Sequence, residues 1–198
     1  MHHNFDKVLG KKQFKENNMS WREIHNNLKT MDNQQIISVI KDLHSLNKAN
    51  KAFLSARLLP NSFDKILEES KKKIENQFFP KRGFGKCNLT IVKKIISDYK
   101  STTKDIFGYL DLMLTYVEQG TEFVNQYGGI QENAYSSMES TFSKFSDLIK
   151  KNENTSLFES FHNRINSLES NVQGIGYSYA DEMSCMIEEL LEFFKKKK

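Results

Sequence analysis

Apolar residues recur at intervals of three and four along most of this 198-residue chain, which is the period of an amphipathic α-helix. In the most apolar stretch, 105–127 (DIFGYLDLMLTYVEQGTEFVNQY), they occupy nearly the whole helical circumference. Such a helix belongs inside a fold, so we predict a buried central helix covered on two sides. The polar stripe that remains on it consists of Gly108, Asp111, Thr115, Glu118, Glu122 and Asn125.

Helix-start signals divide the rest of the chain into further helices. Ser20 with Glu23 has the form of a capping box, and Asp32 with Gln35 opens a second helix. A third ends before Pro60, and four more are predicted from about Ser62, Asn88 or Thr90, Gln131, and Asn154 or Ser156. A last helix follows the glycines at 174–176, while Gly120 is a candidate kink in the central helix and Gly128 a candidate cap at its end.

These patterns predict an all-α protein, with about seven to nine helices in a single irregular helical bundle around 105–127. Nine Gly and two Pro leave little turn material for a β-sandwich or barrel. A helical-repeat-like array is the alternative architecture. Residues 1–18 hold no apolar period and are predicted to be a flexible polar arm, followed by a single helical domain over 19–198.

Composition narrows the functional class only slightly. The start lacks the apolar segment of a signal peptide, and no run of about 18 apolar residues occurs, so we predict a soluble, cytoplasmic protein without a membrane span. Cys87 and Cys185 form no CxxC pair, which gives no support for a disulfide framework or a zinc site. A net charge of +4 slightly favours a polyanionic partner.

The acidic part of the central stripe is the first candidate for chemistry. Asp111, Glu118 and Glu122 are spaced so that their carboxylates converge beside a helix, where they would supply metal ligands or a general base, with Tyr116 as an accessory group. Two structural interpretations stand beside this one. In the first the stripe is a solvated seam, and in the second Arg82 pairs with these carboxylates in an ion-pair network.

The loop 78–86, FFPKRGFGK, is the second candidate. It places Lys81, Arg82 and Lys86 among Phe79 and Phe84 just before a helix, an arrangement suited to binding an anion, a phosphate or an acidic protein face. In the structural alternative, the Phe residues pack into the core and the cations pair locally. The segment Pro80–Cys87 is a near miss to a phosphate-binding P-loop, because it lacks the first Gly, the final Ser or Thr and a preceding strand.

Three weaker motifs are interpreted as structural. Glu159 and His162 form one ExxH, whereas carboxylate-bridged di-iron bundles need two. GYSYA at 176–180 has the outline of a nucleophile elbow around Ser178 but lies between helices without His or Asp partners. The lysines at 195–198 follow an amphipathic helix, whose dipole they complement.

Several segments together resemble a bacterial family of unknown function, made of small and predominantly helical proteins. They are FFPKRG (78–83), Ile96-Ser97-Asp98, DLMLTYVEQG (111–120), Phe123 with Tyr127-Gly128, Tyr135 with Ser137, and the stretch 174–182. The resemblance spans about Trp21 to Phe194. It implies one helical domain and brings no known activity, cofactor or catalytic residue.

The leading hypothesis is a non-catalytic interaction module. Its binding residues would be Phe79, Lys81, Arg82, Phe84 and Lys86, and its partner an acidic protein or a phosphate-bearing molecule, with nucleic acid less favoured. The alternative is a metal-binding protein or hydrolase-type enzyme that uses Asp111, Glu118 and Glu122. No cofactor is predicted.

Overall fold

The structure is a computed structural model that describes residues 20–59 and 62–196. Those residues form nine α-helices and no strand, which confirms the predicted all-α class. The helices are α1 (Trp21–Thr30), α2 (Asn33–Leu46), α3 (Lys48–Leu58), α4 (Ser62–Phe78), α5 (Leu89–Thr103), α6 (Ile106–Tyr127), α7 (Glu132–Asn152), α8 (Thr155–Val172) and α9 (Tyr179–Lys195). The predicted flexible arm lies outside the described residues.

Side-chain caps explain where several helices begin. Ser20 and Glu23 form the predicted capping box of α1, and the Asp32 carboxylate accepts from Gln35 N at 2.8 Å before α2. Asn88 and Asn154 cap α5 and α8 by accepting from the backbone N–H three residues on. Each cap satisfies an N–H that the first turn of a helix leaves unpaired, and therefore a short motif fixes the helix start.

The described residues divide into two compact units, one ending at Leu46 and the other beginning at Asn47. The first contains α1 and α2, and neither of these helices has a buried residue. The second is a helical bundle with α6 at its centre, because α4, α5, α7 and α8 all pack against α6. Helix α9 covers α7 and α8, and α3 packs against α4 and α5. A single domain over 19–198 stays a prediction.

Helix α6 is the buried central helix that the sequence predicts. Its residues from Gly108 to Val117 are all buried, and the helix runs unbroken through Gly120. A Cβ added at Gly120 would lie 2.1 Å from Met138 Sδ, so this glycine leaves room for the Met138 side chain of α7 and does not interrupt the helix. The αL residue Gly128 (φ +80°) ends α6, as predicted. In the described part of the chain, no helix combines the length and apolar character needed to cross a membrane.

Candidate functional site

The polar stripe of α6 meets a cation from α8. Arg164 Nε donates to Glu118 Oε1 at 2.8 Å, and its two Nη atoms donate to Asp111 Oδ1, Thr115 Oγ1 and Glu118 Oε2. The guanidinium thus spans two turns of α6 and binds Glu118 through two parallel hydrogen bonds. Such bidentate contacts are among the strongest that a carboxylate makes in a protein.

A second cation, from α4, contacts the same carboxylate of Asp111. Lys71 Nζ lies 2.7 Å from Asp111 Oδ2, so each oxygen of the buried Asp111 carboxylate contacts a positive charge. Burial of Arg164 disfavours its charged form, but the hydrogen bonds and charges of Glu118 and Asp111 outweigh that effect and raise the pKa of Arg164. We call these five residues the Arg164 network: Arg164, Lys71, Asp111, Thr115 and Glu118.

This geometry distinguishes between the three interpretations of the acidic stripe, namely a metal or catalytic site, a solvated seam and an ion-pair network. Asp111 and Glu118 are paired, as in the ion-pair interpretation, but their arginine is Arg164 and not Arg82. Glu122 is exposed and makes no ion pair with another described residue. Over residues 20–59 and 62–196, no three His, Cys, Asp or Glu side chains lie close enough together to hold a metal ion. The stripe therefore gives the metal-site alternative no support.

Tyr116, the accessory residue of that alternative, is occupied elsewhere. It is fully buried, and its hydroxyl donates to Ser137 Oγ at 2.9 Å. Burial raises the pKa of Tyr116 to about 12. A neutral, hydrogen-bonded phenol between α6 and α7 stabilises the packing of these helices.

Sequence reasoning did not identify Arg164, although a local signal was present. Phe161, Ile165 and Leu168 form the buried face of α8, and Arg164 falls between them at helical spacing. A cation on the apolar face of a helix needs a buried anion nearby. The acidic stripe of α6 supplies that anion.

The loop 78–86, which we call the basic loop, connects α4 to α5 and lies over the C-terminal end of α6. The Phe84 ring contacts the rings of Phe123 and Tyr127 edge-on, with centroids 5.3 and 4.8 Å away. Phe79 contacts the same two rings at 5.9 and 6.3 Å. These four residues form an aromatic cluster in which Phe79 is half-buried, whereas Phe84 is 63% and Tyr127 48% exposed.

The backbone of the basic loop folds back against the end of α4. Cys87 N donates to Gln77 O at 2.8 Å, and a Cβ added at Gly85 would lie 2.0 Å from Phe78 O. Only glycine fits so close to a carbonyl. Gly83 has a φ of +79°, which glycine adopts without strain. These contacts fix the path of the loop and hold Phe84 over α6.

The cations of the basic loop are exposed at this surface. Lys81, Arg82 and Lys86 make no ion pair with any residue that the structure describes, and residues 78–86 include no acidic residue. The structure thus places all five predicted binding residues on one loop. It separates them into a half-buried anchor, Phe79, and four exposed side chains.

Comparison with known proteins identifies the family. A family model described as a family of unknown function (DUF6155) matches residues 19–191. The chain belongs to DUF6155. No curated protein and no solved structure matches the chain. The DUF6155 match covers both the Arg164 network and the basic loop, but the family description assigns no role to either.

The weaker motifs of this DUF6155 chain have local structural explanations. His162 packs against Phe158, with ring centroids 5.5 Å apart, and its Nε2 lies 3.5 Å from Asn166 Nδ2. Ser178 is the N-cap position of α9 with a φ of +58°. Lys196 lies 3.4 Å from Glu192, and the last two lysines lie outside the described residues. Helix α4, not a strand, precedes Pro80–Cys87.

A small acidic cleft lies between the first turns of α7 and α9. It has a volume of about 280 Å³, and its lining includes Glu132, Glu139 and Glu182. Tyr135 and Tyr177 also line it, and their rings stack with centroids 5.3 Å apart. Partial burial, and then the nearby charge of Glu182, raise the pKa of Glu139.

Proposed function

We propose that this protein is a non-catalytic helical interaction module whose basic loop binds an acidic partner. The observation that carries the proposal is the combination, on one fixed loop, of exposed Phe84 with three cations that make no ion pair with a described residue. Interface hot spots are typically aromatic or arginine side chains on a preorganised surface, surrounded by groups that exclude water.

The distribution of exposed aromatic residues supports this surface over others on α3–α9. Within that unit the three most exposed aromatic side chains are Tyr177 at 75%, Phe84 at 63% and Tyr127 at 48%. Phe84 and Tyr127 contact each other, with ring centroids 4.8 Å apart, whereas Tyr177 stacks on Tyr135 of α7. Two exposed aromatic groups in contact are typical of a binding surface.

The number of charges favours an acidic protein over a nucleic acid. Lys81, Arg82 and Lys86 supply three cations, whereas proteins that hold nucleic acid through its backbone commonly make about 6–10 phosphate contacts. A short acidic protein segment with one apolar side chain against Phe84 would match both the charge and the aromatic cluster. A phosphate-bearing partner remains the second form of the proposal.

The Arg164 network supports the non-catalytic part of the proposal. Its carboxylates were the candidates for acid–base or metal chemistry, and Arg164 and Lys71 neutralise Asp111 and Glu118. A structural role accounts for these residues without a substrate.

Photo-crosslinking on the full chain tests the surface directly. Benzoylphenylalanine replaces Phe84 in one variant and Phe107 in a control, because Phe107 is a similarly accessible ring, 41% exposed, on the first turn of α6. We expect a partner in extract of the source cells to crosslink at position 84 only, and to crosslink less as the salt concentration rises. Equal capture at both positions would contradict the proposed surface.

Affinity measurements with the purified partner then separate charge from packing. Arg82→Ala with Lys86→Ala should weaken binding by about tenfold or more. The matched control, Lys72→Ala with Lys73→Ala, removes the same charge from exposed positions on α4 and should change the Kd less than about twofold. A Kd that responds equally to both pairs would mean that only net charge matters.

A single-stranded oligonucleotide tests the phosphate-bearing form. Its binding, followed by fluorescence anisotropy, should depend on Arg82 and Lys86 and weaken with salt if that form holds. Binding that is unaffected by these substitutions, or by the salt concentration, would exclude the phosphate-bearing form.

A further inference from the structure

A second basic surface lies away from the proposed interface, in a groove whose walls are α5 and α7. Both helices pack against α6, which forms the floor between them. The groove has a volume of about 480 Å³, within the range of small-molecule sites. Neither the basic loop nor the Arg164 network contributes a lining residue.

All charged residues that line this groove are cationic. Its lining includes Lys93 and Lys100 from α5 and Lys144 from α7, and it includes no carboxylate. None of these lysines pairs with an acidic residue in the part of the chain that the structure describes. By contrast, Lys94, the neighbour of Lys93, points out of the groove and lies 3.0 Å from Asp98. The groove thus gathers three cations without internal compensation, and an anion would be attracted to it.

The floor of the groove is apolar and aromatic. Tyr109 and Met113 of α6 form it, Ile96 of α5 lies beside them, and all three residues are otherwise buried. Lys100 Nζ lies 4.8 Å and Lys144 Nζ 6.0 Å from the centroid of the Tyr109 ring, so both ammonium groups lie within cation–π distance of this ring. A ligand between them would meet positive charge at the rim and apolar surface below.

Two hydroxyl groups are available beside the lysines. Ser97 and Tyr109 make no hydrogen bond with the described residues, and every fully buried side-chain N or O atom of residues 20–59 and 62–196 has a partner. The Tyr109 hydroxyl therefore reaches the open space of the groove. Both hydroxyls are donors for an anionic oxygen.

We propose that this lysine groove binds a small phosphate ester that carries an aromatic or aliphatic group. Lysines present point charges with rotatable donors, which suit a phosphate, whereas planar carboxylates are matched better by the arginine fork. The apolar floor would receive the organic part of the ester, and Lys93, Lys100 and Lys144 would surround its phosphate.

Titration of the full chain with 1-naphthyl phosphate, inorganic phosphate and 1-naphthol tests the site. Naphthyl fluorescence follows binding, and calorimetry gives the Kd of inorganic phosphate. We expect 1-naphthyl phosphate to bind about tenfold more tightly than inorganic phosphate, because ring burial adds to charge attraction. Lys100→Ala and Lys144→Ala should each weaken binding by about tenfold, the loss of one charged hydrogen bond.

Lys94→Ala is the matched control, since it removes one exposed lysine from the same helix outside the groove and should change the Kd less than about twofold. Circular dichroism confirms that each variant is folded. Equal effects of Lys94→Ala and Lys100→Ala would overturn the proposal, as would equal affinity for the ester and inorganic phosphate. Lys100-dependent sedimentation with phosphatidic acid vesicles, without naphthyl phosphate binding, would assign the groove to a lipid headgroup and overturn the soluble ester.

Discussion

Replacing Arg164 with methionine should lower the free energy of unfolding. We expect the loss to be larger than that caused by breaking an exposed ion pair and smaller than that caused by breaking a fully buried one. The substitution removes the charge and keeps most of the apolar stem, so packing against α6 changes little. It leaves Glu118 without its bidentate partner and leaves Asp111 with Lys71 alone. The cost therefore comes chiefly from two carboxylates that lose hydrogen bonds inside the bundle.

The burial of each group sets the magnitude. Breaking a buried ion pair costs about 3–5 kcal/mol, whereas an exposed pair contributes about 1 kcal/mol or less. The Asp111 side chain is 4% exposed, but Glu118 is 27% and Arg164 33% exposed, and therefore water compensates part of the loss. We expect Arg164→Met to lower the free energy of unfolding by about 2 kcal/mol, or the Tm by about 4–8 °C.

Chemical denaturation followed by circular dichroism at 222 nm measures this change, and a double-mutant cycle isolates the pair. Glu118→Gln in the Arg164→Met background should cost less than it does alone, because the carboxylate has already lost its partner. Lys94→Met, which breaks the exposed pair with Asp98, is the control and should cost about 0.5 kcal/mol or less. If Arg164→Met costs no more than Lys94→Met, or the cycle shows no coupling, the network does not stabilise the fold as argued.

Two further predictions concern the basic loop and the acidic cleft. Gly85→Ala should destabilise the protein by about 1–3 kcal/mol in thermal or urea unfolding, because its Cβ meets Phe78 O, while Gly129→Ala, which meets nothing within 4 Å, should be tolerated. Equal costs would mean that the loop is not fixed at Gly85. The raised pKa of Glu139 means that its protonated form favours folding below the unfolded-state pKa, and this contribution is lost as the pH rises through the folded-state pKa. Glu139→Gln should thus raise the Tm at pH 7, with a gain that disappears below about pH 4. The control is Glu188→Gln, which changes an exposed glutamate of α9. A Tm gain independent of pH, or one equal to that of the control, would contradict this reasoning.

Features encoded by neighbouring residues were predictable from the sequence. The capping box at Ser20 and Glu23 and the αL residue Gly128 each depend on a few consecutive residues, and the structure has both. For α5 and α8 the sequence left two candidate caps each, and the structure uses Asn88 and Asn154. The buried α6 was equally predictable, because its apolar residues cover most of its surface.

Contacts between distant helices were not predictable in the same way. Arg164 and Glu118 are separated by 46 residues, and either Arg164 or Arg82 satisfies the charge pattern until the neighbours of α6 are known. The lysine groove was missed for a related reason. Lys100 and Lys144 lie on different helices, and only the packing of α5 and α7 on α6 brings both over Tyr109.

Charged groups that form ion pairs within this protein have a structural role, whereas charged groups without such pairs are its candidate binding groups. Hydrophobic burial is non-directional, so the apolar faces of α4, α5, α7 and α8 do not by themselves determine which helix lies on which side of α6. We infer that Asp111 adds that information, because positions that bring Lys71 and Arg164 to its two oxygens avoid an unpaired buried charge. The cations of the basic loop and of the lysine groove have no such task, since none of them forms an ion pair with a described residue. Folding leaves their charge available, and it is there, rather than at the acidic stripe of α6, that we expect a partner or ligand to bind.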